Sequence, residues 1–345
     1  MIERIRTLQD VKDFKVEPQR AFFSANHDEI MAGTTTDIYF IKTMEILRYM
    51  GLAGKEVVAE VFPRKSGVIC GVEEVINLLK DKNVEVYALP EGETFEPKDT
   101  VMRIKGPYEE FGMYETVLLG MLAHSSAWAT AARQCREAAG DKVFICFGAR
   151  HVHPAVAPVM ERAAVVGGAS NASCILAAKL LGREPSGTIP HAAVIVAGDT
   201  VSVARVYDEI MPPDSPRIIL VDTFKDEAEE ALAVAEALGR SLEGVRLDTP
   251  GERGGVTAAL VNEVRKRLDQ KGYGFVKIFV SGGLTPERIR ELSDAGADAF
   301  GVGSYISGAS PIDMTMDLKM VDGRPVAKRG RIPGIIENPK LVRMK

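Results

Sequence analysis

Residues 276–289 read VKIFVSGGLTPERI, and residues 297–307 read ADAFGVGSYIS. In each stretch an apolar strand pattern runs into two glycines, and in the first Thr285, Pro286 and Glu287 are typical of the start of a helix. Glycines let backbone N–H groups approach an anion, and a helix N-terminus favours negative charge. The two loops predict a phosphate site, with plain tight turns as the alternative. Its residues are Ser281, Gly282, Gly283, Gly301, Gly303 and Ser304.

Strand-like stretches alternate with helical ones from Asp141 onward, which is typical of parallel βα units. Seven stretches qualify as strands: VFICFG from 143, AAVVGG from 163, SGTIPH from 186, RIILVD from 217, VRLD from 245, VKIFVSGG from 276 and ADAFGVG from 297. We therefore predict the α/β class, with an irregular, seven-stranded (β/α) barrel over residues 141–310. A doubly wound open sheet is the alternative.

The first part of the chain predicts a different arrangement. Strand patterns separated by Gly and Pro surround a helical pattern at 71–81, and a second helix is expected from Asp37 to about Leu52. These features predict an N-terminal α/β (α+β) domain over residues 1–111. A Pro-free helical pattern predicts a connecting helix over 112–140, and the tail at 311–345 is expected to pack on the N-terminal domain.

Composition argues against several classes of protein. The 345 residues are 46% hydrophobic and 26% charged, which are ordinary globular values and suit two domains. Forty-eight acidic against 43 basic residues give a net charge of −5 without a Lys/Arg block, so nucleic acid is not expected as a partner. The longest stretch without a charged side chain, residues 116–132, is too short and polar to span a membrane.

The cysteines and the first residues predict a cytoplasmic protein. The sequence has four cysteines and no CxxC pair, so we expect reduced thiols in the core. The opening MIERIRTLQDVKDFKVE lacks the apolar segment of a secretory signal.

Ionisable side chains follow several of the predicted strands, at the edge where parallel barrels carry their chemistry. Asp222 and Asp248 end neighbouring strands, so their carboxylates could share Mg²⁺ or hold two ribose hydroxyls. Turn formation or helix capping is the alternative for each. Arg246 and Arg150 carry planar guanidinium groups that suit a carboxylate or a phosphate.

With these motifs the chain resembles the nicotinate phosphoribosyltransferase family, one of the type II phosphoribosyltransferases together with the nicotinamide and quinolinate enzymes. The resemblance covers nearly the whole chain and adds these motifs: TTTDIYF at 34–40, EVFPRKSG at 60–67, LPEGE at 89–93, FGARH at 147–151, GGASNAS at 167–173, GTIPH at 187–191, VDTF at 221–224 and RLDTPG at 246–251. Each motif is weak alone, but their order and spacing are specific.

The resemblance implies a reaction and an assembly. The family joins nicotinate to phosphoribosyl pyrophosphate (PRPP), giving nicotinate mononucleotide and pyrophosphate for NAD biosynthesis, and commonly couples this reaction to ATP hydrolysis. Mg²⁺ is expected as cofactor and ATP as co-substrate. A homodimer with shared active sites, or a higher oligomer, is expected as well.

The resemblance also assigns roles to residues on the substrate side. Tyr39 of a partner subunit and Phe147 would sandwich the pyridine ring, and Arg150, Ser170 and Arg246 would hold its carboxylate and the phosphates. The two glycine loops would bind the 5′-phosphate.

Four further residues are assigned in the same way. Asp222 and Asp248 would hold the ribose hydroxyls and Mg²⁺, and Arg64 would reach the diphosphate across the dimer. His191 corresponds to the histidine that ATP phosphorylates in coupled members, with a buried, hydrogen-bonded imidazole as the alternative.

The choice of substrate follows from the same motifs. GGASN offers Ser170 and Asn171 in place of an acid, which favours nicotinate over nicotinamide. The second carboxylate of quinolinate would require more Arg and Lys than FGARHVHP supplies. No cysteine follows Ser310, so zinc is not expected. A phosphate-binding aldolase or isomerase using Lys277, and a binding protein without catalysis, are the rival hypotheses.

Overall fold

The computed structural model describes residues 3–345, which form two units. The first unit comprises the described residues up to Thr130 together with Ser310–Lys345, and the second comprises Ala131–Ala309. Within the described residues there are fourteen α-helices and fourteen strands.

The elements up to residue 139 comprise six α-helices, five strands and one 3-10 turn. In chain order they are α1 (Leu8–Asp13), α2 (His27–Ala32), α3 (Ile38–Tyr49), β1 (Glu56–Pro63), β2 (Gly67–Val68), α4 (Val72–Leu79), β3 (Glu85–Ala88), β4 (Thr94–Phe95), β5 (Met102–Pro107), α5 (Tyr108–Phe111), a 3-10 turn (Gly112–Tyr114) and α6 (Glu115–Ala139). The long α6 begins in the first unit and ends in the second.

The elements after residue 139 begin with the parallel strands. They are β6 (Val143–Cys146), a 3-10 turn (Ala149–His151), α7 (Ala157–Gly167), β7 (Asn171–Ala172), α8 (Ile175–Leu180), α9 (His191–Ala197), α10 (Thr200–Ile210), β8 (Ile218–Leu220), α11 (Glu227–Leu238), a 3-10 turn (Gly239–Ser241), β9 (Gly244–Leu247), a 3-10 turn (Gly251–Arg253), α12 (Ala258–Gln270), β10 (Lys277–Ser281), α13 (Pro286–Asp294), β11 (Ala299–Val302), α14 (Ser304–Ser307), β12 (Met314–Val321), β13 (Arg324–Pro325) and β14 (Val342–Arg343).

The first unit is built on an antiparallel sheet of six strands in the order β13-β12-β1-β5-β3-β14. Six of the eight positions of β1 are buried, all except Glu56 and Phe62, and the strand pairs with β12 on one edge and with β5 on the other. Three strands of this sheet, β12, β13 and β14, come from the last part of the chain. The predicted helix at 71–81 is α4, whose buried residues include Val72, Val75 and Leu79.

The second unit is built on six parallel strands in the order β7-β6-β11-β10-β9-β8. In the described part of the chain β7 and β8 do not pair, so the sheet stays open between them. The predicted α/β class, an N-terminal domain followed by a parallel βα domain, is therefore confirmed. Five of the seven predicted strands correspond to β6, β8, β9, β10 and β11.

The other two predicted strands are wrong. AAVVGG at 163–168 is the end of α7, where Val165 and Val166 give a strand-like sequence but the buried residues Met160, Ala163 and Ala164 follow a helical spacing. Within SGTIPH, residues 186–190 form a loop and His191 begins α9. The sixth strand is instead β7, which has only two residues and no strand pattern in the sequence.

The cysteines are free thiols, as predicted. Cys70, Cys135 and Cys146 are buried and Cys174 is half-buried. Across residues 3–345, no helix combines the length and the apolar composition that crossing a bilayer requires.

Candidate functional site

A cavity of about 500 Å³ lies in the second unit, where β6, β9, β10 and β11 end. This is the edge at which parallel βα proteins usually bind ligands. Its lining contains most of the predicted site residues. The lining residues are Phe147, Ala149, Arg150, His151, Ser173, Gly187, Thr188, Pro190, Arg246, Asp248, Ser281, Gly282, Gly283, Gly301, Gly303 and Ser304.

Arg246 is the centre of a hydrogen-bond network in the cavity wall. Its Nε donates to Ser281 Oγ at 2.8 Å and its Nη2 donates to Asp248 Oδ2 at 2.9 Å. Ser281 Oγ in turn donates to Asp248 Oδ1 at 2.9 Å. Arg246 and Asp248 lie two residues apart at the end of β9, so their side chains share one face. The Ser281 hydroxyl is therefore already committed to these two residues.

The same guanidinium also contacts a loop and an aromatic ring. Arg246 Nη1 donates to Thr188 Oγ1 at 2.8 Å, and its central carbon lies 5.3 Å from the centre of the Phe147 ring. Burial lowers the pKa of Arg246, and the carboxylates of Asp248 and Asp222 oppose that decrease. Arg246 is thus a fixed cation beside an aromatic face.

His191 and Asp222 form a second polar pair. His191 Nε2 lies 3.1 Å from Asp222 Oδ2, and the Asp222 side chain is fully buried while that of His191 is 37% exposed. Burial raises the pKa of Asp222, and the hydrogen bond with His191 opposes the rise. His191 is the first residue of α9 and does not end a strand, contrary to the prediction. Its neighbour Pro190 lines the cavity.

The two aspartates fit a magnesium ion held together with a substrate. Asp222 Oδ1 is buried and accepts no hydrogen bond, and the Asp248 carboxylate lies in the cavity lining. Magnesium commonly takes one or two carboxylates and completes its shell with substrate phosphates and water. Among residues 3–345, no group of three or more His, Cys, Asp or Glu side chains is arranged to hold a metal. A metal here would therefore need oxygens from a ligand.

Close packing requires three of the four glycines in these two stretches, Gly282, Gly301 and Gly303. A Cβ on Gly301 would lie 2.4 Å from Phe147 Cε2, and one on Gly303 would lie 2.8 Å from His151 Cε1. Gly282 has φ of +93°, and its Cβ would lie 2.9 Å from Asp248 Oδ1. These glycines let three side chains of the cavity approach the backbone of β10 and β11. Thr285 caps α13 as predicted.

Five predicted residues are not part of the cavity lining: the pair His191 and Asp222, and also Ser170, Tyr39 and Arg64. Ser170 accepts hydrogen bonds from Arg136 Nη2 at 2.9 Å and from the N–H of Phe144 at 3.2 Å. It therefore links α6 to β6. Tyr39 and Arg64 belong to the first unit, where Tyr39 is 54% exposed on α3 and Arg64 pairs with Asp313.

Two hydroxyl residues of the lining, Thr188 and Ser173, were not among the predicted site residues. Both belong to motifs quoted above, GTIPH and GGASNAS, and of the two serines in this part of GGASNAS the prediction named Ser170. The choice depends on where the loop after β7 turns, which the motif does not reveal.

Comparison with known proteins identifies the family. Residues 37–126 match the profile described as quinolinate phosphoribosyl transferase, N-terminal domain, and residues 128–317 match the corresponding C-terminal domain. A nicotinate phosphoribosyltransferase of Mycobacterium tuberculosis, pncB1, is 33% identical over 72% of this chain and 55% of its own length. That of Bacillus subtilis is 31% identical over 64% of this chain and 45% of its own length. The chain thus spans about half the length of these curated relatives.

Solved structures agree with this assignment. A nicotinate-nucleotide pyrophosphorylase from Pyrococcus furiosus has a TM-score of 0.88 and 47% identity, covering 92% of this chain and 82% of that one. Human nicotinic acid phosphoribosyltransferase shares the fold, with a TM-score of 0.68 and 21% identity over 87% of this chain and 77% of that one. Both domain profiles and these relatives lead to one conclusion: the chain belongs to the type II phosphoribosyltransferase family.

Proposed function

We propose that the protein is a nicotinate phosphoribosyltransferase, which joins nicotinate to PRPP and releases pyrophosphate in NAD biosynthesis. The observation that carries the proposal is the arrangement of Arg246 beside the Phe147 ring, held by Asp248 and Ser281 in a cavity with two glycine loops. The names of the Mycobacterium and Bacillus relatives support the same activity.

The proposed reaction displaces pyrophosphate from the anomeric carbon of the ribose. Its transition state resembles a sugar cation from which pyrophosphate is departing. The protein must therefore orient the pyridine ring and stabilise the negative charge that develops on the pyrophosphate. The pyridine nitrogen attacks with its own lone pair, and no general base is needed. Phe147 offers a face for the ring, and Arg150 and Arg246 offer cations for its carboxylate and for the phosphates.

Mg²⁺ would supply charge neutralisation for the diphosphate. Asp222 and Asp248 are the proposed residues on the protein side, since one has an unpartnered oxygen and the other lines the cavity. The backbone N–H groups of the two glycine loops are the proposed binding site of the 5′-phosphate.

Quinolinate phosphoribosyl transfer is the second candidate. It is favoured by the description of the matching domain profiles. Against it, the permanently charged side chains in the cavity lining of the described chain are only Arg150, Arg246 and Asp248. Two arginines suit one ring carboxylate and the phosphates better than two ring carboxylates, which supports nicotinate.

The deciding experiment measures pyrophosphate release from PRPP and Mg²⁺ with nicotinate, nicotinamide or quinolinate, each with and without ATP. We expect release with nicotinate. If only quinolinate gave pyrophosphate release, quinolinate would replace nicotinate as the proposed substrate. If none of the three pyridines gave release, the result would point to another enzyme class or to a binding protein. An assay with excess chelator serves as the control for the metal.

We further propose that ATP stimulates the reaction through His191. The imidazole is partly exposed while Asp222, which orients it, is fully buried, as expected for a nucleophile with an orienting carboxylate. In the His191→Ala variant we expect the ATP-stimulated turnover to be lost and some ATP-independent turnover to remain. The acid-labile phosphoryl label that radioactive ATP would leave on the protein should be lost as well. Equal loss of both activities would assign His191 to the step that they share.

We also propose that the protein assembles as a homodimer with shared active sites. Large apolar side chains are exposed on both units, including Tyr39 and Tyr49 on α3 and Ile175 and Val196 on α8 and α9. Exposed apolar patches commonly mark interfaces. The cavity offers one aromatic face, that of Phe147, so Tyr39 of a second copy is the proposed second face. Light scattering at low protein concentration tests the assembly.

A further inference from the structure

Glu161 is a carboxylate with no exposed surface on α7, and it accepts four hydrogen bonds. Its Oε2 accepts from the N–H of Ser173 at 2.7 Å and the N–H of Cys174 at 2.6 Å. Its Oε1 accepts from the N–H of Ala149 at 3.2 Å and from Ser173 Oγ at 2.9 Å. A buried carboxylate with this many donors is held firmly in one orientation.

The four donors belong to two different loops. Ala149 lies in the segment after β6 and next to Arg150, whereas Ser173 and Cys174 follow β7. Ala149, Arg150 and Ser173 all line the cavity. Because an N–H direction fixes the plane of its peptide, Glu161 sets the backbone from which the side chain of Arg150 extends. One carboxylate therefore ties together the two loops of this wall.

The hydroxyl of Ser173 is oriented by the same contact. Its hydrogen is donated to Glu161 Oε1, which leaves lone pairs on Oγ to accept a hydrogen bond from a donor in the cavity. Glu161 thus orients the backbone next to the Arg150 cation and the hydroxyl of Ser173, although Glu161 is not itself part of the cavity lining.

We propose that Glu161 is a positioning residue that places Arg150 and Ser173 and thereby sets the affinity of the cavity for its anionic substrate. The identity of the substrate rests on the proposed function, but the coupling of the two loops does not. The competing interpretation is a purely structural role, in which Glu161 supports folding alone.

Glu161→Gln tests the proposal with little change of shape. Each carboxylate oxygen accepts two hydrogen bonds. An amide NH₂ in place of Oε2 loses the bonds from the N–H groups of Ser173 and Cys174, whereas one in place of Oε1 loses the bond from Ala149 and turns the Ser173 hydroxyl from donor to acceptor. Glu60→Gln is the matched control, because Glu60 is a buried carboxylate of β1 that accepts from Arg103 and belongs to the other unit. Both variants are expected to melt at a lower temperature than the wild type.

Kinetics separate the two interpretations. We expect Glu161→Gln to raise KM for nicotinate by roughly tenfold or more, since a displacement of about 1 Å near a reacting group can cost about a hundredfold. Combined with Arg150→Lys, its effect should be less than additive, because both changes act on the same contact. Glu60→Gln should leave KM and kcat unchanged. A melting temperature lowered as in Glu60→Gln, with KM and kcat unchanged, would overturn the proposal.

Two further measurements keep the test decisive. If Glu161→Gln does not fold, Ser173→Ala removes one of the four bonds, and an unchanged KM in that variant overturns the proposal. If the wild type turns over no pyridine, the proposed function fails, and titration with inorganic pyrophosphate and Mg²⁺ replaces the kinetics. Weaker pyrophosphate binding in Glu161→Gln, with faster amide exchange at Ala149 and Ser173, would then support the positioning role. Equal binding and equal exchange would refute it.

Discussion

The Asp248 carboxylate accepts hydrogen bonds from Arg246 and from Ser281, and it also lines the cavity. Asp248→Asn keeps the volume but removes the negative charge needed for a cation or for two ribose hydroxyls. We expect turnover to fall by about a hundredfold or more while the protein stays folded. Steady-state kinetics with a thermal melt as control would check this. Unaltered kinetics would remove the proposed ribose and metal role.

Glu115 gives the protein a pH-dependent stability. Burial raises its pKa from 4.5 to about 7, and the nearby Asp317 adds to the rise. Between these values the folded protein binds more protons than the unfolded one, so stability decreases as pH rises and levels off above about 7. The Glu115→Gln variant has no ionisable side chain at this position, so this decrease of stability with rising pH should be absent from it.

We therefore expect Glu115→Gln to melt a few degrees above the wild type at about pH 8 and close to it at about pH 5. Differential scanning calorimetry across that range measures the difference. A difference that is independent of pH would show that Glu115 is not the titrating group. Lys328, which opposes the rise in the pKa, stays unchanged in this variant.

Single residues of the site were predictable where a strand fixes them. Arg246 and Asp248 end β9 and share one face because strand side chains alternate, and the sequence shows that alternation directly. Ser170 and Ser173 are separated only by the two-residue β7, which has no strand pattern in the sequence, so the sequence did not show which serine lines the cavity. Glu161 lies in a helix with no motif, and only the folded contacts reveal it.

At the scale of elements, β11 packs closely against the loop that follows β6. Gly301 has no room for a side chain because the Phe147 ring lies against it. Gly301→Ala should push the ring out of place and lower kcat/KM for the pyridine substrate by roughly tenfold or more. Competition with a pyridine analogue would separate weaker ring binding from a loss of fold.

Gly120→Ala is the matched control for that change. Gly120 lies within α6, where an added Cβ meets nothing within 4 Å. Alanine is favoured over glycine in a helix by about 1 kcal/mol, so this variant should be slightly more stable and equally active. A similar loss of kcat/KM in both variants would contradict the packing argument.

Whole elements were predictable where their periodicity was complete. α4 and the strands β8 to β11 have apolar patterns and Gly or Pro at their ends, and the structure has them where expected. The end of α7 was misread because paired valines favour a strand locally while packing along α7 decides for a helix. Pairing of β12 with β1 depends on contacts between residues that are far apart in sequence, which no local pattern encodes.

At the scale of the molecule, the proposed homodimer with shared sites predicts complementation between two inactive variants. Tyr39→Ala and Asp248→Asn damage different units of the chain. In a mixed dimer one site would combine the intact Tyr39 of one subunit with the intact Asp248 of the other. After subunit exchange at equal amounts we expect about a quarter of the wild-type activity. Exchange without any recovery of activity would show that each site is complete within one subunit.

The pairing of β1 with β12 also has a consequence for the order in which the chain is made. Glu56–Pro63 leaves the ribosome more than two hundred residues before Met314–Val321. At about 5–20 residues per second, β1 waits on the order of 10 to 50 seconds for the strand that covers its edge. The parallel unit is complete before that moment, since its last residue is Ala309. During translation the parallel unit can therefore fold first, while one edge of β1 stays unpaired until β12 emerges.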